Sequence, residues 1–438
     1  MTTPATTLKT LYLCYFGLRE PLVQTQVLPY LRELHRGGVE VHLLTFEPNR
    51  RKAWSKEDER AWRERLASEG IRWHALAYHK SPSVVVTPYD IVRGAWLAAR
   101  LARTHRIDVL HARGHLPMAM ALLARRIYGR VRLLFDIRGL LAEEYEEAGV
   151  WTKDSPQYRA VQAVERAGLK RSAQLIVLTR RMRDLLVERR LARAEQIEVV
   201  PCCVDFARFD AAVTRNGDGA AQTSVEKKNE HAPRVADEET RRFEIVTAGS
   251  VTGLYLLEEM GRFFLALKRH RPDAFLRVLT TSNAADATAT LERTGLERAD
   301  FWVGAARPAE VPAFLRRARL GLSFRKATFS QIAASPTKIP EYLAAGLPTV
   351  CNSGIGDTDD ILTRERVGII VGDFAEETLD EAARAALALA AEQGISERAI
   401  ETAHRYFDLA GVGGVGYRNA YRRLAAETAG APVMRETT

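Results

Sequence analysis

The chain is an α/β protein of two successive domains, each built on a doubly wound parallel sheet, and three features of the sequence carry that expectation. Short apolar runs alternate with amphipathic stretches of helical length through residues 1–205, and the same alternation resumes through 243–400. The first of these runs, Leu11–Phe16, is apolar throughout, as a strand covered on both faces should be. Between the two series, residues 211–242 carry almost no large apolar side chains and no periodicity. At 438 residues the chain can supply two domains of roughly 200 residues, each with its own core.

Taken in order, the first strand is expected over Leu11–Phe16, followed by a loop over Gly17–Gln24 and a helix over Thr25–Arg36 that Gly37 and Gly38 close. A strand over Val39–Thr45 completes a βαβ unit. The pattern continues with a helix over Lys56–Glu69, a strand over Ile71–Leu76, a helix over Tyr89–Thr104, and strands over Val109–His111 and Val131–Asp136. A helix over Tyr158–Arg171, a strand over Leu175–Leu178, a helix over Arg180–Arg189 and a strand over Ile197–Val200 end the domain in the segment PCCVDFARF.

Residues 206–242 read as a flexible linker and insertion, because their composition cannot bury enough surface to order a chain. The second series comprises strands over Phe243–Ala248, Phe275–Thr280, Asp300–Val303, Leu320–Phe324, Leu347–Cys351 and Gly368–Val371. Helices over Leu256–Arg269, Ala284–Thr294, Ala309–Arg317 and Glu376–Glu392 alternate with them. Residues 401–438 hold a last helix over Gly413–Thr428, preceded by AHRYFDLAGVGG.

The most informative segment is SPTKIPEYLAAGLPTV, Ser335 to Val350. It reads as a phosphate-binding loop entering a short helix, with Thr337 as N-cap and Pro340 in the first turn, where a missing N–H costs little. Gly346 stops the helix and Pro348 follows it. A helix N-terminus suits a phosphate, Lys338 adds a full cation, and Glu341 lies one turn further along, placed for ligand hydroxyls.

This segment resembles the donor-binding helix of glycosyltransferase family 4, enzymes of the GT-B fold. The resemblance implies two Rossmann-like doubly wound domains facing across a cleft, a final helix crossing back onto the first domain, and transfer of a sugar from a nucleotide-diphosphate donor with retention. It also implies that Glu341 accepts hydrogen bonds from the nucleotide ribose while the preceding loop, with Ser335, holds the diphosphate. Two segments depart from the family pattern. A second glutamate usual eight residues upstream of Glu341 is Ala333 here, and Cys202 and Cys203 replace the middle of a Pro-Asn-Gly-Val-Asp segment.

Ligands of open α/β sheets bind beyond the carboxyl ends of the strands, so polar residues there are the candidates. In the second domain these are Gly249 and Ser250, in a small-residue turn that lets backbone approach phosphate, and Arg325 and Lys326, two cations for a diphosphate leaving group. In the first domain Asp136 and Arg138 follow a buried strand where the family commonly carries a histidine. Asp136 is expected in the cleft as acceptor base or sugar ligand, the alternative being an Asp–Arg pair that caps the next helix. His111, Arg113 and His115 at another strand end, with Gly17 opening the loop after strand one, are candidates for binding acceptor. His-x-Arg-x-His fits phosphate better than metal, lacking a carboxylate partner. Glu143, Glu144, Glu146 and Glu147 read as a solvated helix face. Asp357-Thr358-Asp359-Asp360 resembles the metal motif of the other glycosyltransferase fold, but its place fits a helix N-terminus, so no cofactor and no essential metal is expected.

Bulk properties narrow the class. With 46% hydrophobic and 27% charged residues the composition is globular, and no apolar run approaches the ~20 residues of a membrane span. The start, MTTPATTLKTLYLCYF, lacks the marks of a signal peptide, which predicts a cytoplasmic protein. Four cysteines, Cys14, Cys202, Cys203 and Cys351, are too few and too poorly spaced for a disulfide framework and are expected as buried thiols. The net charge of +9 points to phosphorylated ligands, anionic membrane or nucleic acid. No nucleic-acid module is recognisable, and Arg125, Arg126, Arg130 and Arg132 around the apolar helix MAMALLARRIYG offer a peripheral contact with the inner membrane face. The expected activity is glycosyl transfer to a saccharide or lipid-linked acceptor in surface polysaccharide or glycolipid synthesis. The alternatives are a sugar-nucleotide 2-epimerase of the same fold and a non-catalytic nucleotide-binding protein.

Overall fold

The computed structural model describes residues 8–79, 83–209 and 242–429. In the first domain β1 (Lys9–Cys14), β2 (Glu40–Pro48), β3 (Ile71–Tyr78), β4 (Val109–Arg113), β5 (Arg132–Asp136), β6 (Gln174–Val177) and β7 (Ile197–Val199) form one parallel sheet, ordered β3-β2-β1-β4-β5-β6-β7. The helices between them are α1 (Pro21–Gln26), α2 (Leu28–Arg36), α3 (Arg50–Ala53), α4 (Lys56–Ser68), α5 (Ser83–His105), α6 (His115–Ile127), α7 (Leu141–Glu147), α8 (Pro156–Arg171) and α9 (Arg180–Glu188).

The second domain is smaller but wound the same way. Strands β8 (Phe243–Ala248), β9 (Ala274–Leu279), β10 (Phe301–Gly304), β11 (Leu320–Ser323), β12 (Thr349–Asn352) and β13 (Gly368–Val371) are all parallel, ordered β10-β9-β8-β11-β12-β13. Its helices are α10 (Leu257–His270), α11 (Ala284–Arg293), α12 (Val311–Leu315), α13 (Lys338–Ala344), α14 (Thr358–Glu365), α15 (Glu376–Ala391) and α16 (Ile395–Phe407). Each sheet is covered on both faces by separate apolar clusters, which is why its strands are predominantly apolar.

The last helix, α17 (Val415–Ala429), returns to the first domain, entered through a π-helical turn at Leu409–Gly414. Tyr417, Ala420, Tyr421 and Leu424, spaced three and four residues apart, are buried in the same cluster as Tyr12, Leu31 and Val109. The Tyr421 hydroxyl lies 2.7 Å from Thr10 Oγ1, and Arg418 pairs with Glu33 at 2.9 Å.

Several expectations change. The segment read as a loop over Gly17–Gln24 contains most of α1, and Pro29 breaks the following helix from it because it cannot donate to Thr25. Helix α5 begins at Ser83, upstream of the expected Tyr89, and runs through Pro88. Helix α16 was not anticipated. The linker begins later than residue 206: Val204 and Phe209 are buried in the second domain, and the Phe206 ring stacks on His404 at 3.6 Å. The rest of the expected insertion, residues 210–241, lies outside the described residues. Arg132 is a β5 residue whose guanidinium reaches the Leu424 carbonyl, so it does not belong to an outward basic patch. All four cysteines are buried free thiols. No helix of the described residues is long and apolar enough to cross a membrane.

Candidate functional site

The order of the second sheet reverses between β8 and β11, so the crevice beyond their carboxyl ends is where an open α/β sheet takes its ligand. Gly249 follows β8 with φ +94°, a backbone that favours glycine, and Ser250 comes next. Arg325 follows β11, its N–H donating to Asn352 Oδ1 at 2.8 Å and its Nε to Gln331 Oε1 at 2.7 Å. Between the two strand ends stands Tyr255. Its ring centroid is 3.9 Å from Lys338 Nζ and 4.5 Å from the Arg325 guanidinium, so one aromatic ring holds two cations.

Lys338 opens α13 and is only 3% exposed. Its ammonium donates to the Ser250 carbonyl at 3.2 Å, and among the described residues no carboxylate pairs with it. Burial first, and then the charge of Arg325, lower its pKa to about 7. Arg325 likewise has only neutral hydrogen-bond partners, and partly exposed Lys326 adjoins it. Two cations thus share one ring in the crevice; Glu144, whose ionisation Arg325 favours, is the acidic group near them, and among the described residues it forms no ion pair with either. Such a site favours a multiply charged anion, which would restore the ammonium to its charged form.

Other expected donor residues are placed as follows. Thr337 occupies the N-cap position, but its backbone is already helical (φ −58°, ψ −26°) and its hydroxyl makes no capping bond, so the expected cap is absent. Ser335 Oγ accepts from the Cys202 N–H at 3.1 Å, a bond between domains. Glu341 is partly exposed and paired with Arg208 at 2.8 Å, while Arg208 also donates to the Pro308 carbonyl at 3.0 Å. Among the described residues the second Glu341 oxygen has no hydrogen-bond partner.

The first-domain candidates are corrected. Asp136 is 0% exposed. It accepts from the Tyr417 hydroxyl at 2.8 Å and lies 3.4 Å from Arg138, 3.6 Å from Arg113 and 3.6 Å from His111. Burial opposes its ionisation, but Arg138, His111 and Arg113 together outweigh burial and hold the carboxyl well below the usual range. An acceptor cannot reach this carboxylate in the described arrangement. Nor does it cap a helix: Leu140 is the N-cap of α7, without a side-chain bond. Asp136 and Arg138 are therefore the centre of a buried ionic network that ties β4 and β5 to α17.

The expected acceptor residues lie in the same interior. His111 is fully buried against Tyr421, with its Nδ1 3.1 Å from the hydroxyl, and Arg113 is 6% exposed. His115 pairs with Glu165 at 2.8 Å. Gly17 is buried where a Cβ would come within 2.7 Å of Pro48 Cδ, so packing alone requires its smallness. These positions are packed in the interior of the first domain and present no open surface to an acceptor.

Sequence reading missed the contacts that close the two domains on each other. Helix α7 is not a solvated acidic face. Glu147 accepts from the Ser330 N–H at 2.9 Å, from the Thr328 hydroxyl at 2.7 Å and from the Ser330 hydroxyl. Glu144 packs where a Cβ on Gly139 would sit, and Glu143 accepts from Gln162. Asp357 opens α14 without capping it and instead accepts from Arg180 N–H at 2.7 Å and Arg181 N–H at 3.2 Å, capping α9 of the other domain. The Thr179 hydroxyl donates to the Ile332 carbonyl at 2.6 Å. Ala333, where the family has its upstream glutamate, is 2% exposed in an apolar cluster with Val177 and Met182 of the first domain. A carboxylate there would be desolvated without a partner, which accounts for alanine. A cavity of about 660 Å³ also lies between the domains, lined by Thr179, Arg181, Ser335, Asp357 and Arg405 among others. Lys338, Arg325 and Glu341 are not in its lining, so it is distinct from the cationic crevice.

Residues 23–203 match the family model described as glycosyl transferase 4-like domain. No curated protein sequence matches the chain significantly. Solved structures of similar fold cover it almost entirely. A sucrose-phosphate synthase from Thermosynechococcus elongatus is 15% identical over 96% of this chain and 100% of its own, with a TM-score of 0.66. Anabaena HepE in complex with UDP-glucose is 13% identical over 97% and 99%, with a TM-score of 0.61. A UDP-N-acetylglucosamine 2-epimerase is 12% identical over 99% of both chains, with a TM-score of 0.56. The chain has the GT-B fold and resembles the family 4-type glycosyltransferases.

Proposed function

We propose that this protein is a glycosyltransferase that takes a sugar from a nucleotide-diphosphate donor bound at the crevice between β8, β11 and α13. One observation carries the reading: Lys338 is buried beside Arg325 on a shared aromatic ring, and among the described residues neither forms an ion pair with a carboxylate. The donor's diphosphate would take that place, reached also by Lys326 and by the Gly249–Ser250 turn. The ribose would bond the free oxygen of Glu341, which Arg208 holds in place. As the sugar leaves, charge develops on the terminal phosphate, and preorganised cations stabilise it there without reorganisation. On this reading side chains meet the charge and an essential metal has no part. Retention follows from the family resemblance. The Anabaena complex with UDP-glucose makes uridine donors the first to test.

The acceptor would approach across the first domain, and we infer a lipid-linked or membrane-bound one. Helix α5 exposes Tyr89 (53%), Val92 (60%) and Trp96 (58%) along one stripe, and Ile127 at the end of adjacent α6 is 63% exposed. Arg93 and Arg100 stack on Tyr89 and Trp96, at 5.4 Å and 5.6 Å, with Arg125 and Arg126 nearby on α6. An aromatic stripe rimmed by arginines suits the headgroup layer of an anionic membrane. This setting accords with surface polysaccharide or glycolipid synthesis.

A fold shared with 2-epimerases keeps isomerisation of the donor as the competing reaction. Thermal shift against UDP-, GDP-, ADP- and TDP-sugars selects the donor, and product analysis then decides. A glycosylated acceptor supports transfer, whereas an isomerised donor without acceptor supports the epimerase.

A further inference from the structure

The amino ends of the first-domain strands, opposite the cleft, bring three histidines together. His42 is the third residue of β2, His74 the fourth of β3 and His105 the last of α5. The register that sets Leu44 beside His74 puts His42 and His74 on one face of the sheet, the face α5 covers. One ligand nitrogen from each ring lies within 4.8 Å of the other two. The His42 and His74 rings are stacked with centroids 5.3 Å apart, and those of His42 and His105 are 4.7 Å apart.

We propose that His42, His74 and His105 form a binding site for a single Zn²⁺ ion, remote from the donor crevice. The geometry is close to that of ligated imidazoles. Two nitrogens at ~2.0–2.1 Å from a tetrahedral zinc are about 3.3 Å apart, and His42 Nδ1 lies 3.1 Å from His74 Nε2. The second imidazole nitrogen of His42 is oriented as a metal ligand's usually is. Its Nε2 is 3.3 Å from Glu40 Oε1, so the proton sits between them and the Nδ1 lone pair faces His74. Glu40 is itself fixed by Lys9 at 3.1 Å and Arg72 at 3.2 Å. An all-imidazole set suits zinc and not magnesium or calcium, which take oxygen. His42 is fully buried while His74 and His105 are partly exposed, which leaves a path for the ion and room for water as fourth ligand. A bound ion would join the starts of β2 and β3 to the end of α5.

The test uses the full chain stripped with chelator and titrated with Co²⁺ as a spectroscopic probe, then with Zn²⁺. The expected result is one equivalent of Co²⁺ with the visible bands of a tetrahedral site, displaced by Zn²⁺, together with a rise in Tm. His105→Ala, at a helix end, should fold as the metal-free parent does and lower affinity at least about tenfold, and Glu40→Gln should weaken binding about ten- to a hundredfold. Absence of the tetrahedral spectrum in the parent, or unchanged affinity in folded His105→Ala and His74→Ala variants, would overturn the assignment.

Discussion

Glu147 of the first domain accepts a hydrogen bond from the backbone N–H of Ser330 in the second at 2.9 Å, in the turn that precedes α13. The same carboxylate holds the Thr328 and Ser330 hydroxyls, so one side chain joins the domains through three hydrogen bonds. Hydrogen bonds to a charged group contribute roughly 1.5–3 kcal/mol each. Glu147→Ala is therefore expected to favour an open arrangement. Small-angle scattering should show a larger radius of gyration with unchanged circular dichroism, and identical scattering curves would count against the latch.

Lys338 gives the crevice a pH signature. Its pKa is lowered from an ordinary value of 10.5 to about 7, so between those limits the unfolded chain holds a proton that the folded one lacks. Stability from this group consequently rises with pH across that window. A bound diphosphate reverses the shift by favouring the ammonium. Calorimetry at pH 8 in two buffers of different ionisation enthalpy should record proton uptake on nucleoside diphosphate binding. The uptake should vanish in Lys338→Met.

Asp136 is expected to matter for stability first. Asp136→Asn removes the carboxylate shared by Arg113 and Arg138, and breaking a buried ionic network in this way costs about 3–5 kcal/mol. A large fall in Tm is the outcome to look for. An unchanged Tm with turnover reduced about a hundredfold or more would instead restore Asp136 as a base reached by the acceptor.

Glu341→Ala should weaken nucleoside diphosphate binding about ten- to a hundredfold through loss of charge-assisted bonds to ribose. Arg208→Ala, which frees the carboxylate from its partner, should do less. Titration calorimetry of both variants checks the order, and equal losses would show that the ion pair acts as one unit.

The winding of both domains was legible because strands buried on both faces are predominantly apolar and the helices between them are amphipathic. The crevice was legible in part, since Gly249 and Arg325 stand just beyond strand ends and Lys338 opens a helix behind a loop that suits phosphate. What escaped was whatever depends on distant partners. Asp136 looks the same in sequence whether a cleft or Tyr417 faces it, and 281 positions separate the two residues. Glu147 lies among five residues, EEYEE, whose composition says solvent, and only the approach of Ser330 makes it a contact. His42, His74 and His105 follow no short motif and meet through the β2–β3 register and the packing of α5 on that face.

The most direct measurement is the affinity of parent and Lys338→Met for a nucleoside diphosphate and for the corresponding nucleoside. If the diphosphate sits on the buried ammonium, the variant should lose about tenfold or more in diphosphate affinity, in line with ~1.5–3 kcal/mol for a charge-assisted bond, and bind the nucleoside as the parent does. Equal diphosphate affinities in parent and folded variant would contradict the placement of the donor at this helix.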